Sequence, residues 1–331
     1  MEEEEKMDKE KIINKTMSRS DLLSDEAKPV VQAINDLIHT LYSKDLYMSS
    51  WYGTLPRRGG VALSPDLIKR LIKRVSAGRE IKAEGGTVLG KDVIKELIRR
   101  VLPRTGSEAG VGIANRGSDY EPLPGSADDG RIPWYLYWEI FWVMKNGPRV
   151  ENNTRLLDAG GASSLFTCYL ASLGAEVYSI DINKTLVSNG NKIAKAMGWN
   201  MFSYAMNMRK LDFEDGYFDH AYSICVFEHL DYELKQSALS EIARCLRPNG
   251  ILSVTFDYRN PAPAIAGFGP DTRERNQLKS KEDIERSFLS TGHFDLLGNQ
   301  EFCDNGASHL VNPMFDNAPY TFGAIFLKKR S

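Results

Sequence analysis

The 331-residue sequence contains few cysteines, and none of them form a closely spaced pair. Cys168, Cys225, Cys245 and Cys303 are scattered along the chain without a CxxC motif. Paired cysteines are typical of zinc sites and disulfide frameworks, so the sequence favours neither. We therefore expect reduced thiols, and no group of residues has the sequence spacing of a metal site.

Long apolar runs and an excess of one charge are also lacking. No stretch approaches the ~20 apolar residues that a membrane span requires. The formal net charge is −2, from 42 basic and 44 acidic residues, so nothing general attracts nucleic acid or anionic membranes. The first residues, MEEEEKMDKE, lack the apolar core of a signal peptide. We expect a cytoplasmic protein without a membrane partner.

The N-terminal part is predicted to divide at about residues 24 and 150. Residues 1–24 are mostly charged or polar, so we expect an acidic flexible tail. Residues 25–150 are predicted to form an N-terminal helical cap region. Apolar residues recur at helical spacing from Asp25 onward, and the aromatic-dense segment RIPWYLYWEIFWVMKNG at 131–147 is also typical of a helix.

Two similar amphipathic helices are predicted inside the cap region, at 66–75 and 92–101. Residues 66–104 contain eleven Lys or Arg against five Asp or Glu. A basic face can dock an anionic partner, but solvated helix faces explain the surplus more simply.

Residues 151–331 alternate between apolar strands and helical stretches. This alternation predicts an α/β domain, with a Rossmann-like doubly wound, mostly parallel sheet and an antiparallel C-terminal strand. Because crossovers between parallel strands are right-handed, their carboxyl ends share one edge, where ligands of such sheets bind.

The segment LLDAGGASS at 156–164 ends the first predicted strand of this domain. Asp158, Gly160 and Gly161 then lie at the carboxyl edge, where glycines let a ligand approach the backbone. The next strand ends in Asp181, twenty-one residues after Gly160. A carboxylate at this place can accept hydrogen bonds from a ribose diol, so the pattern predicts a cofactor that contains a nucleoside.

The glycine pattern discriminates between such cofactors. GGASSL lacks the GxGxxG spacing that brings a helix N-terminus to a pyrophosphate, and Asp158 is unfavourable beside that group. This disfavours an NAD-dependent oxidoreductase. A carboxylate tolerates a cationic ligand, and S-adenosylmethionine is one.

Two further segments place polar residues at the same edge. In LDFEDGYFD, Asp212 can accept from an adenine amino group, and Phe213 can offer its backbone N–H to the ring. In FEHL, His229 follows the fourth strand and is the best-placed general base, since an imidazole titrates near neutral pH. Weaker candidates for that role are Glu228, Asp257, Tyr258 and His309.

Taken together, these segments resemble the class I S-adenosylmethionine-dependent methyltransferases, in the broad type 11 group that contains small-molecule methyltransferases. The resemblance is carried by LLDAGGASS, VYSIDIN, LDFEDGYFD, SICVFEHL and LRPNGIL, in this order. With the similar tail segments KEDIERSFLSTGHFDLLGN and YTFGAIFLKK it covers roughly residues 150–330. One departure is Ala162, which replaces a glycine of the commoner DxGxGxG loop.

The resemblance implies a role for each residue of the cofactor site. The loop Gly160, Gly161 and Ala162, with Asp158, would cradle the methionine part, and Asp181 would hold the ribose. Asp212 and Phe213 would read the adenine, Ile182 would pack on its face, and the backbone near Ser223 would face the amino acid end.

These observations predict transfer of a methyl group from S-adenosylmethionine to an O or N atom of a small organic acceptor, such as a saccharide or natural product. The cap region and the 257–280 insertion would select the acceptor. A non-catalytic cofactor-binding scaffold and an RNA-directed methyltransferase remain alternatives. The adenine-type nucleic-acid enzymes carry (N/D)PP(Y/F) after the fourth strand, where this chain has ICVFEHL.

Overall fold

The computed structural model describes the core of the chain, with gaps. The described residues are 12–50, 132, 134–258, 278–305 and 321–330, and the short strands at 53–54, 81–82 and 88–89. The predicted helices at 66–75 and 92–101, most of the 257–280 insertion, and His309 lie outside these ranges.

The strands and helices alternate as predicted after residue 150. The strands are β1 (Lys15–Thr16), β2 (Ser49–Ser50), β3 (Gly53–Thr54), β4 (Ile81–Lys82), β5 (Val88–Leu89), β6 (Arg155–Ala159), β7 (Glu176–Asp181), β8 (Met201–Ala205), β9 (Phe218–Ile224), β10 (Leu246–Tyr258), β11 (Phe294–Leu296) and β12 (Thr321–Lys329). The α-helices are α1 (Ala27–Ser43), α2 (Trp134–Asn146), α3 (Leu165–Ser172), α4 (Lys184–Met197), α5 (Tyr232–Cys245) and α6 (Lys281–Phe288).

The central sheet has the strand order β1-β12-β10-β9-β6-β7-β8. Strands β8, β7, β6, β9 and β10 run parallel to one another. Strand β12 is antiparallel to β10, and β1 and β11 both pair antiparallel with β12. This confirms the predicted Rossmann-like sheet with an antiparallel C-terminal strand. The pairs β2–β3 and β4–β5 form separate two-stranded sheets.

Short polar side chains start the helices that follow the parallel strands. Ser164 caps α3 by accepting from the N–H of Thr167, and Asn183 caps α4 by accepting from the N–H of Thr185. Asp231 caps α5 in the same way. Such caps satisfy N–H groups that have no partner inside the helix, so the turns before each helix are held at the carboxyl edge of the sheet.

Helix α2 packs its aromatic side chains into the core. Its two tyrosines, Tyr135 and Tyr137, and its three tryptophans are buried. Tyr135 stacks on Phe322 of β12 with ring centroids 4.8 Å apart, so this helix covers the antiparallel side of the sheet. Across the described part of the chain, no helix is both long and apolar enough to cross a membrane.

The prediction of a flexible tail is wrong for residues 12–24. Asn14 is fully buried, and its side chain donates to the carbonyl of Leu297 and accepts from the N–H of Phe326, at 2.8 Å each. Met17 and Leu22 are also buried, and β1 adds to the sheet edge. The apolar residues of this segment are few, but Ile13, Met17 and Leu22 are buried in the core, which outweighs the polar composition.

Candidate functional site

The carboxyl ends of the parallel strands bring the predicted cofactor residues to one edge. Ala159 at the end of β6 pairs with Ile180 of β7, and the N–H of Gly160 donates to the carbonyl of Ile180 over 2.8 Å. The glycine loop and Asp181 are therefore neighbours, although Asp181 comes twenty-one residues after Gly160 in sequence.

The two glycines are required by contacts within the protein itself. Gly160 has φ +90°, and a Cβ there would come within 2.6 Å of a methyl group of Val226. A Cβ on Gly161 would overlap the carboxyl group of Asp158. The sequence predicts that these glycines let a ligand approach the backbone. The structure shows a second reason for them, because Val226 and Asp158 leave no space for a side chain at either position.

Asp158 lies beneath the glycine loop, with 1% of its surface exposed. The hydroxyl of Thr167 contacts Oδ2 of Asp158 at 2.5 Å and also lies against the carbonyl of Gly161. Burial raises the pKa of Asp158 to about 7; the Thr167 hydrogen bond opposes this shift and the charge of Asp181 adds to it. Among the described residues, Oδ1 of Asp158 has no hydrogen-bond partner.

Asp181 and Ile182 stand at the open end of β7. Asp181 is half-buried, and its Oδ1 accepts from the N–H of Asn183 over 2.7 Å. Burial raises the pKa of Asp181, while the backbone N–H groups of Asn183 and Ile182 oppose that shift. The Ile182 side chain is 78% exposed, so the residue beside the carboxylate presents an uncovered apolar surface.

The loop that carries Asp212 and Phe213 is held from α5. Arg244 donates to the carbonyl oxygens of Leu211 and Phe213, at 2.8 Å each. Asp212 itself is exposed, whereas the Phe213 ring packs against Tyr217 and Phe218. The arginine therefore fixes the backbone on both sides of Asp212.

Ser223, near the end of β9, is buried, whereas His229, after that strand, is exposed. Ser223 is fully buried, and its hydroxyl donates to the carbonyl of Ala159 over 2.9 Å, so it ties β9 to β6. His229 closes a 3-10 turn, Phe227–His229, and its side chain is 58% exposed. Its Nε2 lies 3.9 Å from Oε1 of Glu228.

A buried acidic group lies beside this turn, and the sequence did not predict that its members come together. It comprises Glu139 of α2, Cys225 and Glu228 after β9, and Asp257 near the end of β10. Oε1 of Glu139 accepts from the Cys225 thiol at 2.6 Å and from the Thr255 hydroxyl at 2.7 Å. A lone carboxylate within the aromatic segment WYLYWEIFW was the signal that could have drawn attention to Glu139.

Desolvation dominates the electrostatics of this acidic group. Burial raises the pKa of Glu139 to about 8, against the hydrogen bonds from Cys225 and Thr255. Burial likewise raises the pKa of Glu228 to about 7, and the nearby backbone, the Lys235 ammonium and the Cys225 thiol oppose this shift. The backbone N–H of Asp257 and the thiol act here by proximity, because neither makes a hydrogen bond of good geometry to Glu228.

The edge suits S-adenosylmethionine in its chemistry. A half-buried carboxylate, Asp181, adjoins a glycine loop, and the exposed Ile182 offers an apolar face for a base. Asp158 brings a buried carboxyl oxygen without a hydrogen bond in the described region, which favours a cationic ligand nearby. An anionic pyrophosphate would meet repulsion at the same place.

Comparison with known proteins identifies one domain family. Residues 157–254 match the family model described as "Methyltransferase domain". No curated protein matches the chain.

Solved structures with a similar backbone include the cyclase SpnF (18% identity, 61% of this chain and 84% of that chain, TM-score 0.46). An S-adenosylmethionine-dependent methyltransferase from Methanosarcina mazei is 18% identical over 57% of this chain and 97% of that chain, with a TM-score of 0.44. Geranyl diphosphate C-methyltransferase from Streptomyces coelicolor A3(2) is 13% identical over 61% and 81%, with a TM-score of 0.45.

The residues that match the family model run from within β6 into β10. They include the glycine loop, Asp181 and the turn with His229. The cofactor of this family is S-adenosylmethionine. Residues 157–254 are therefore a methyltransferase domain, of the kind that uses S-adenosylmethionine.

Proposed function

We propose that the protein transfers the methyl group of S-adenosylmethionine to an O or N atom of a small organic acceptor. The observation that carries the proposal is the adjacency of the glycine loop and Asp181, joined by the hydrogen bond from Gly160 to Ile180. A ribose and a cationic methionine end can occupy these two neighbouring turns at once.

Each residue of the edge takes a role in this proposal. Asp181 accepts from the ribose hydroxyls, and Ile182 packs on the adenine. Asp212 and the backbone of Phe213 read the edge of the adenine. The methionine end lies over Gly160, Gly161 and Ala162, with Asp158 beneath the loop and the backbone near Ser223 alongside.

The cofactor supplies a methyl group activated by a sulfonium leaving group. The protein's task is to hold an acceptor atom in line with that group and to exclude water. His229 is proposed as the residue that receives the acceptor proton, because its exposed ring stands at the turn after β9. Replacing His229 with Gln is expected to lower kcat at least about tenfold without weakening S-adenosylmethionine binding. His293, at an exposed turn before β11, provides the matched His→Gln control.

We further propose that residues 25–150 form the cap region over a methyltransferase domain at 151–331. Helices α1 and α2 of that region pack on each other, with a hydrogen bond from Tyr137 to Asn35 at 2.6 Å. Substitutions in the cap region are then expected to change which acceptor is methylated and to leave the affinity for S-adenosylmethionine unchanged.

Calorimetric titration of S-adenosylmethionine and NAD into wild type and Asp181→Ala tests the cofactor site. Wild type is expected to bind S-adenosylmethionine and not NAD. Loss of charge-assisted hydrogen bonds to the ribose should weaken binding by about tenfold or more in the variant. Asp36→Ala, which removes an exposed carboxylate from α1, should bind like wild type. Failure of folded wild type to bind S-adenosylmethionine contradicts the proposal.

Transfer of a labelled methyl group to pooled amines, saccharides and phenols then tests the acceptor class. The expected result is label on a small molecule through O or N. Label recovered only on added RNA would overturn the small-molecule acceptor while leaving the cofactor site intact.

A further inference from the structure

We propose that Cys225, Glu228 and Asp257 form a binding site for a divalent transition metal ion, with zinc as the first candidate. The thiol sulfur and one oxygen of each carboxylate all lie within 4.8 Å of one another. Ligands that share one ion, at bond lengths of about 2.0–2.3 Å, have separations of this order. The family match and the cofactor assign no role to this group.

Two carboxylates of this region have oxygens that accept no hydrogen bond from the described residues. The Glu228 side chain is 6% exposed, and neither of its oxygens accepts a hydrogen bond from the described residues. Glu139 beside it is fully buried, and its Oε2 accepts no hydrogen bond from any residue that the structure describes. Burying such groups without compensation is costly, so a cation among them would offset a large desolvation penalty.

The charges around the site leave room for a cation. Lys235 is buried close enough to Glu228 to interact with it and supplies one positive charge. Against it stand three acidic side chains, Glu139, Glu228 and Asp257, and the Cys225 thiol. With Glu228, Asp257 and the sulfur ionised and the thiol proton held by Glu139, a divalent ion would bring the group close to neutrality.

The ligand types select the metal. A sulfur ligand with carboxylates suits zinc and neighbouring transition metals, whereas magnesium and calcium prefer oxygen ligands only. Three protein ligands leave a fourth position open for water or substrate. Zinc binds a cysteine as the thiolate, so the Cys225 proton has to leave. Glu139, which accepts a hydrogen bond from the thiol at 2.6 Å, would take this proton and orient the sulfur from outside the site.

The site adjoins the cofactor edge through one residue. Val226 follows Cys225, and its methyl groups lie against Gly160, where a Cβ would come within 2.6 Å of them. Cys225 has φ +51°, and its N–H donates to the carbonyl of Thr255 over 3.0 Å, which sets the start of this turn. An ion bound here would lie next to the glycine loop, at the edge that an acceptor has to reach.

Titration of chelator-treated protein with Co²⁺ tests the site without any need for enzymatic activity. Cobalt bound to a thiolate gives a charge-transfer absorption in the near ultraviolet, and wild type should show it at one ion per chain. Cys225→Ser should abolish this band, and Glu228→Gln should weaken Co²⁺ and Zn²⁺ binding at least about tenfold. Cys303→Ser changes a half-buried cysteine outside the site and should leave both signals as in wild type.

Binding of S-adenosylmethionine separates this proposal from the proposed function. Each variant is first checked for folding by circular dichroism, and Glu228→Gln carries the test if Cys225→Ser does not fold. Absence of the charge-transfer band in folded wild type, or its survival in Cys225→Ser, overturns the metal site even where S-adenosylmethionine binds. Binding of an organic amine at this group, without binding of Zn²⁺, would also overturn the metal site.

Discussion

The Thr167 hydroxyl and the Asp158 carboxyl meet at 2.5 Å beneath the glycine loop. The same hydroxyl lies against the carbonyl of Gly161 and within 2.8 Å of the Ser164 hydroxyl. The first turn of α3 is thereby tied to the end of β6 through a carboxyl group that is almost fully buried. The loop that is proposed to cradle the methionine end thus depends on a buried acid.

Replacing Asp158 with Asn is expected to change how stability depends on pH. Burial raises the pKa of Asp158 from 3.8 to about 7. A raised pKa means that folding favours the protonated acid, so its contribution is complete below pH ~4 and is lost as the pH rises to ~7. The loss amounts to at most about 4 kcal/mol. The variant keeps a neutral acceptor for Thr167 and should escape this loss.

Chemical denaturation of both proteins without cofactor, between pH 4 and pH 8, measures the effect. The Asp158→Asn protein should be the more stable at pH 8, and the gap should close toward pH 4. Asp212→Asn removes an exposed carboxylate of the same site and should not reproduce this pattern. Parallel curves for wild type and Asp158→Asn would show that Asp158 is ionised in the folded protein throughout this range.

Substituting Gly160 with Ala is expected to destabilise the protein for two separable reasons. The residue has φ +90°, which costs an L-residue about 1–2 kcal/mol, and the new methyl group would come within 2.6 Å of Val226. Overpacking of this kind costs typically about 1–3 kcal/mol. In the double variant with Val226→Ala, the second cost should disappear and the first should remain. A double-mutant cycle by urea denaturation measures the coupling, and strict additivity would exclude the clash.

Arg244→Gln is expected to weaken S-adenosylmethionine binding although the arginine lies behind the site. Its guanidinium holds the carbonyls of Leu211 and Phe213, so its loss should release the loop around Asp212. A decrease in affinity of about tenfold corresponds to one charged hydrogen bond. Calorimetry measures it.

Arg247→Gln is the matched control for the Arg244 variant. Arg247 follows α5 and pairs with Asp219 of β9 at 2.8 Å, and not with the carbonyls on either side of Asp212, so its loss should leave cofactor affinity unchanged. Equal affinity in the Arg244→Gln and wild-type proteins would mean that the remaining contacts hold the loop, namely the Phe213 packing and the hydrogen bond from the N–H of Leu211 to Glu241 at 2.8 Å.

The sequence predicted the parallel sheet because the apolar runs are short and regular, and capped helices follow three of them, β6, β7 and β9. It also placed Asp181 next to the glycine loop, since parallel neighbouring strands share one edge. Local patterns suffice for such features. The placement of β1 beside β12 could not be predicted, because two residues carry no periodicity and the pairing joins the two ends of the chain.

The buried acidic group escaped prediction for a related reason. Glu139, Cys225 and Asp257 come from three separate elements, and only the packing of α2 against β10 brings them together. The sequence offers Glu228 and Asp257 as weaker candidates for the general base, but their spacing says nothing of their mutual distance. Burial of a carboxylate is likewise a property of the fold, so the raised pKa values had no sequence signal.

Asn14→Ala should cost more stability than its place near the N-terminus would indicate. The buried side chain donates to the carbonyls of Leu297 and Asn299 and accepts from the N–H of Phe326. Alanine would leave two buried backbone groups and one partly buried carbonyl without this partner, and the expected loss is about 2–4 kcal/mol in the free energy of unfolding. Urea denaturation measures it, with Ile12→Ala as control because that side chain is 53% exposed. A loss below about 1 kcal/mol would mean that water replaces the asparagine, and that residues 12–24 add little to the stability of the sheet they join.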